Sequence, residues 1–309
     1  MKFVLAILAI ILGLLALAEV GLRVFLGFGN PLIYIADEEI GYLLAPNQRV
    51  RRFGNFIEIN RYSMRSSTIT SLPSESNWRV LLLGDSVANG GWWTDQTETI
   101  SQQIPREWDN SSLEVLNASA NSWGPRNELA YLKKYGLFGA RAVILLINTD
   151  DLFAKAPSSL VVGSDRNYPN SKPAGAIAEF LSRYLLPSPK LSAEKPKEKD
   201  VVAANLEAIG EIHKIVEAAN AKFILAMTPL LREVGEPGSR DYELKTRQRL
   251  TEFKEKEAII YVDFLPIFQS HSNPDVLYRD HIHLSREGNL EVSKTLTNYL
   301  KKTIGELEF

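Results

Sequence analysis

Two kinds of apolar run stand out along this chain. The first occurs once, at the start: Phe3 to Ala18 carries no polar side chain, and after Glu19 the pattern resumes as Val20-Gly21-Leu22 and Val24-Phe25-Leu26. The second kind is short and recurs. Runs at 79–84, 113–118, 142–148, 222–228 and 259–263 are apolar almost throughout. Between or after them, segments near 95–107, 126–136, 200–219, 239–256 and 285–303 read as helices. Strands apolar on both faces, alternating with helices, imply a parallel sheet covered on both sides. The pattern predicts an α/β, three-layer fold with a mostly parallel five-stranded sheet, preceded by an N-terminal transmembrane helix.

The leading run sets the organisation. Phe3–Ala18 is slightly short of the roughly 20 residues that span a bilayer. Extension to Phe28 supplies the length if Glu19 and Arg23, spaced i,i+4, neutralise each other near the interface. Ala16-Leu17-Ala18 also fits a signal-peptide cleavage site, but the apolar continuation past Glu19 favours retention as an anchor. We therefore read 1–28 as an anchor or uncleaved signal. Residues 29–78 form a membrane-proximal arm with short strands (Leu32-Ile33-Tyr34-Ile35, Phe56-Ile57-Glu58-Ile59) and a polar linker, Ser66–Asn77. The main domain is 79–309, with an insertion at about 153–200. That insertion holds six prolines and the charged run Glu194-Lys195-Pro196-Lys197-Glu198-Lys199. Within it Ala174–Leu186 reads as a short amphipathic helix, so the insertion is either a lid or a solvated surface loop.

Composition narrows the chemistry. A net charge of −2 gives no reason to expect a nucleic-acid partner. Cysteine is absent, which excludes disulfides, thiolate catalysis and Cys-based metal sites. His281 and His283 stand two apart with no third ligand in view, so no metal site is expected.

The candidate chemistry lies at two distant points. Gly84-Asp85-Ser86 ends the first short apolar run, which sets the Ser86 hydroxyl at the carboxyl end of a strand and near a helix N-terminus. Taken alone, Asp85-Ser86 is an ordinary N-cap pair. Near the C-terminus, Asp280 and His283 share one loop three residues apart, before Ser285-Arg286-Glu287-Gly288, which can cap and start the last helix. A serine hydroxyl is a weak nucleophile until an imidazole takes its proton, and a carboxylate must hold that imidazole's tautomer.

Together, Gly84-Asp85-Ser86 after a strand and Asp280-x-x-His283-Leu284 before the last helix resemble the SGNH (GDSL-type) hydrolase family over about residues 79–303. The Glu19/Arg23 anchor and the segment Ile59-Asn60-Arg61-Tyr62-Ser63-Met64-Arg65 resemble its membrane-anchored extracytoplasmic members. The resemblance implies a flavodoxin-like sheet, with Ser86 as nucleophile, His283 as base and Asp280 orienting it. It implies no cofactor. It also implies an oxyanion hole of three donors: the N–H of Ser86, the N–H of a residue after the second strand, and an asparagine side chain after the third. Register sets Ser122 on the second position, usually glycine, with Asn121 and Gly124 as near alternatives. That departure costs little unless the loop needs φ > 0 there. At the third, Asn148-Thr149-Asp150-Asp151 puts Asp150 where the family has asparagine. An ionised carboxylate cannot donate, so either Asp150 stays protonated, or Asn148 donates in its place, or hydrolysis has been lost. Asp85, Trp92 and Trp123 are candidate substrate contacts, with Trp93 and Tyr168 completing an aromatic wall for a sugar ring.

The sequence thus reads as a serine esterase acting on O-acyl, even O-acetyl, groups of a carbohydrate or lipid. It would be anchored by a single pass in the cell membrane, with its catalytic domain periplasmic or at the cell surface. The alternatives are an O-acyltransferase for an exported polysaccharide and a catalytically impaired carbohydrate-binding or assembly protein. A C-terminally tagged chain should be cut by external protease once any outer layer is permeabilised; a tag that stays protected would place the domain on the cytosolic side.

Overall fold

The computed structural model describes residues 1–73, 78–108, 112–187 and 199–305. Residues 74–77 of the expected linker and Glu194–Glu198 of the charged run lie outside them. The chain opens with helix α1 (Lys2–Leu26), ended by Gly27 in the left-handed conformation at φ 72°. It is long and apolar enough to cross a membrane, with a mean hydropathy of 2.8 and none of its most apolar window buried. Two antiparallel hairpins follow, β1 (Tyr34–Asp37) with β2 (Gly41–Leu44) and β3 (Gln48–Arg52) with β4 (Asn55–Ile59).

The remaining strands are β5 (Trp78–Gly84), β6 (Leu113–Ser119), β7 (Ala142–Asn148), β8 (Lys222–Thr228) and β9 (Ile260–Asp263). They form one parallel sheet in the order β6-β5-β7-β8-β9. Counted from β5, that order is 2-1-3-4-5, the flavodoxin-like doubly wound arrangement. The five apolar runs are therefore the five strands.

The helices are α2 (Ser86–Asn89), α3 (Ile100–Trp108), α4 (Pro125–Tyr135), α5 (Ala176–Tyr184), α6 (Val201–Ala218), α7 (Leu231–Val234), α8 (Asp241–Lys256), α9 (Phe264–Gln269) and α10 (Arg286–Gly305). Successive strand residues face opposite layers. Val80 and Leu82 pack with α3, α9 and α10, whereas Leu81 and Leu83 pack with α4 and α6. The segment read as an arm joins this second layer: Ile40, Tyr42, Leu44, Ile57, Ile59 and Met64 share one core with Leu81 and Leu83.

Arg65 explains why that segment is so firmly held. Its side chain is fully buried and donates to Gln96 Oε1 (2.8 Å) and to the carbonyls of Asn89 (3.2 Å), Gly91 (2.6 Å) and Thr94 (2.7 Å). Burial pulls its pKa down to about 9, against the pull of Asp95. One planar fork thus fixes the loop that carries Trp92 and Trp93. Arg65→Met would leave three carbonyls without a donor and should cost about 3 kcal/mol, roughly 6–12 °C in Tm. Arg65→Lys should rescue little of it, because an ammonium cannot match the fork. A thermal scan in which Arg65→Met melts within a degree of the parent would contradict this account.

Candidate active site

Ser86 enters the site because β5 stops at Gly84. A Cβ at Gly84 would lie 2.6 Å from the Leu146 carbonyl oxygen and 2.7 Å from Ala88 Cβ, so only glycine lets the strand turn this tightly against β7. Asp85 then caps α2, its Oδ1 accepting the Val87 N–H at 2.8 Å. Ser86 sits at the first helical position, where an N–H has no intrahelical partner. The turn lies between β5 and β7, where the strand order reverses and open α/β sheets bind their ligands.

His283 arrives from the loop before α10. Asp280 Oδ1 accepts the N–H groups of Ile282 (3.1 Å) and His283 (2.9 Å), a turn that folds the carboxylate back under the imidazole. Ser285 caps α10 as expected, accepting the Gly288 N–H at 3.1 Å. A Cβ on Gly288 would strike the Leu277 carbonyl oxygen at 2.1 Å, so glycine permits the loop to close on the helix. His283 Nδ1 is 2.9 Å from Asp280 Oδ2, and its Nε2 is 3.0 Å from Ser86 Oγ. With a carboxylate accepting at Nδ1, the proton belongs on Nδ1 and the Nε2 lone pair faces the hydroxyl. The Trp93 ring lies 4.3 Å from the imidazole centroid, and Arg279 lies over both Trp92 and Trp93 at 5.1 Å. Burial pushes the Asp280 carboxyl up, but the hydrogen bonds from His283 and Ile282 outweigh it and hold it below its usual value.

Other expected residues turn out differently. Asn148 is buried, and its side chain is committed to partners within the protein. The chain turns into a 3₁₀ helix at Thr149, and Asn148 becomes its N-cap, with Oδ1 accepting the Asp150 N–H at 2.7 Å. Its Nδ2 donates inward, to Asp85 Oδ2 (2.8 Å) and Asp151 Oδ2 (3.0 Å). Asp150 is exposed, and neither it nor Asn148 lines the cavity beside Ser86. Asp85 is buried beneath the site and Trp123 is a core residue donating to the Tyr42 carbonyl, so neither lines the cavity beside Ser86.

The loop after β6 does adopt φ > 0: Ser122 stands at φ 59°, a left-handed conformation that costs a non-glycine residue roughly 1–2 kcal/mol. Tyr168 braces it by donating to Ser122 Oγ at 2.9 Å, and Tyr42 donates to the Asn121 carbonyl at 2.6 Å. The Trp123 N–H closes the turn onto Ala120, leaving the Ser122 N–H outside that hydrogen bond.

Ser86, Ser122, Trp92 and His283 line one cavity of about 290 Å³, with Trp93 and Tyr168. Sequence reasoning missed its other walls. Tyr34 and Arg52 come from the hairpins, and Asn167 and Arg183 from the insertion. No local motif marks them, because each is brought in by packing between distant segments.

A serine, imidazole and carboxylate in hydrogen-bonded series, at the switch point of a flavodoxin-like sheet, define a serine hydrolase by arrangement. Residues 82–290 match the GDSL-like Lipase/Acylhydrolase family. The chain belongs to that family, and is a serine ester hydrolase. Solved structures of similar fold include the psychrotrophic esterase EstA from Pseudoalteromonas sp. (16% identity, covering 74% of this chain and 98% of that one, TM-score 0.45). A lipase/acylhydrolase from Enterococcus faecalis gives 15% identity, 73% and 96% coverage and a TM-score of 0.46. A GDSL-like lipase from Bacteroides thetaiotaomicron gives 11%, 76% and 93%, and 0.47. A search among curated proteins gives no match.

Three buried carboxyls stand behind the serine. Burial raises Asp85, Asp151 and Glu128, and their mutual repulsion adds to the rise for Asp151 and Glu128. Glu128 in the folded chain therefore keeps a proton that the unfolded chain loses above pH about 4.3. With more protons bound in the native state, stability falls as pH rises through that window, by as much as about 1.4 kcal/mol per pH unit. Glu128→Gln should flatten that fall; urea midpoints at pH 5 and pH 8 that move in parallel for both proteins would count against it.

Proposed function

We propose that Ser86, His283 and Asp280 carry out ester hydrolysis in a membrane-anchored, extracytoplasmic enzyme that removes small O-acyl groups from a carbohydrate or lipid. The reading is carried by the continuous series from Ser86 Oγ through His283 to Asp280, at 3.0 and 2.9 Å. Ser86 Oγ bonds to the ester carbonyl carbon as its proton passes to His283 Nε2. Asp280 stabilises the imidazolium without taking the proton. The N–H groups of Ser86 and Ser122 hold the oxyanion. Collapse breaks the bond to the leaving alkoxide, which takes the proton from His283. Water then repeats the sequence in reverse roles, frees the acid and restores Ser86.

A small acyl group is supported by the cavity, whose 290 Å³ is at the low end for ligand sites. Its aromatic rim of Trp92, Trp93 and Tyr168 suits a sugar ring or an acyl chain. Asn148 acts one step back, holding Asp85 in place. The anchoring is supported by the exposed apolar length of α1.

The purified chain should turn over p-nitrophenyl acetate and take a fluorophosphonate label, and Ser86→Ala should abolish both. Asp280→Asn should keep the label site but lower kcat by about 10⁴, the effect of a wrong imidazole tautomer. Turnover that survives unchanged in Ser86→Ala would end the proposal. A product assay with a sugar acceptor present reads out transfer in place of hydrolysis.

A further inference from the structure

Helix α5 is built inside out for a helix in water. A surface helix of a soluble domain turns its apolar stripe inward and its charges outward. In α5 the inward face carries Glu179, only 5% exposed, and Arg183 beside it. Leu181 and Tyr184 on its outward side, and Leu185 and Leu186 just past its end, are 41%, 60%, 68% and 59% exposed. The inward charges are fully engaged. Glu179 accepts both Nη atoms of Arg52 (3.1 and 2.6 Å), the Nε of Arg183 (2.7 Å) and the Gly29 N–H (2.7 Å). The orientation is therefore locked, and the leucines cannot rotate in.

The apolar face is continuous with α1. Glu19 of α1 caps α5 directly, accepting the N–H groups of Ala176 (2.8 Å) and Ile177 (2.9 Å). Phe28, just beyond α1, packs edge-on against Phe180 at 5.8 Å. Glu19 lies seven residues before the end of α1, or about 10 Å along the helix. That depth is where interfacial helices bury an apolar face, at the boundary of headgroups and acyl chains. The same elements wall the cavity: Arg183 of α5, and Pro31 and Leu32 five and six residues past α1.

We propose that α5 is an interfacial helix seated in the membrane that α1 spans, and that the cavity takes an O-acyl ester carried by an amphiphile of that membrane. The second half rests on the esterase reading above; the first does not. Two measurements separate them. The chain has no cysteine, so Leu185→Cys carries a single nitroxide in the full-length protein. In nanodiscs of phosphatidylethanolamine and phosphatidylglycerol, that label should collide more with oxygen than with a water-soluble nickel chelate. A label at Leu244→Cys, an exposed leucine of α8 (52%), should show the opposite. A water-like Leu185 label overturns the placement, and so does one shielded from both reagents, the signature of a protein partner or a second copy. The double variant L181S/L185S should lose tenfold or more turnover of hexadecyl acetate dissolved in the nanodisc, read as released acetate, while turnover of p-nitrophenyl acetate stays within twofold. Equal effects on both esters, or a parent chain that cleaves only p-nitrophenyl acetate, overturn the membrane-borne substrate. If the parent chain cleaves neither ester, the esterase reading falls with the substrate claim, and the label alone decides the placement.

Discussion

The carboxylate of Asp85 is the joint on which the site turns. It accepts from the Val87 N–H, from the Ser86 hydroxyl at 3.1 Å and from Asn148 Nδ2. A buried charge is tolerated only where hydrogen bonds replace the water it lost, so these donors are held to it. The effect is to tie the end of β5 to the end of β7 across the switch point. The arrangement also bears on reactivity. The Ser86 proton has two acceptors in reach, Asp85 Oδ2 and His283 Nε2, and only the second leads to attack. Asn148 already donates to Asp85 Oδ2, which makes that oxygen the poorer acceptor.

The sheet supplies the reacting groups, and segments outside the βα repeat supply the walls. Arg65 fixes the Trp92–Trp93 loop, Tyr42 and Tyr168 brace the loop of Ser122, and Arg52 meets Glu179 behind the cavity. The bracing matters most at Ser122, whose left-handed backbone is held by its surroundings and not by glycine. Breaking a buried pair such as Arg52–Glu179 is costly because it strands the other charge.

The sheet was legible in the sequence because strands buried on both faces leave unbroken apolar runs, and all five fell within a residue or so of their observed bounds. The Ser86, Asp280 and His283 grouping was legible because a turn and a helix cap fix each locally. Asn148 was misread for a definite reason. A side chain two residues before Asp150 shares its side only along an extended chain, but the chain turns at Thr149 and Asn148 caps the turn. Trp123 was misjudged because its partner, the Tyr42 carbonyl, is 81 residues away. The inward charges of α5 were hidden for the same reason, since Glu179 finds Arg52 across 127 residues.

The cap that Glu19 places on α5 has a consequence for the order of assembly. Its acceptors meet N–H groups 157 residues downstream. At 5–20 residues per second, roughly 8–30 s of synthesis separate the two. In the folded chain the same carboxylate also pairs with Arg23, at 2.6 Å one turn away. Glu19 therefore completes its contacts only when α5 is made, whereas the end of α1 is tied earlier to the β3–β4 hairpin, by the Phe53 N–H to the Leu26 carbonyl (3.2 Å) and by Arg52 to the Gly27 carbonyl (3.0 Å).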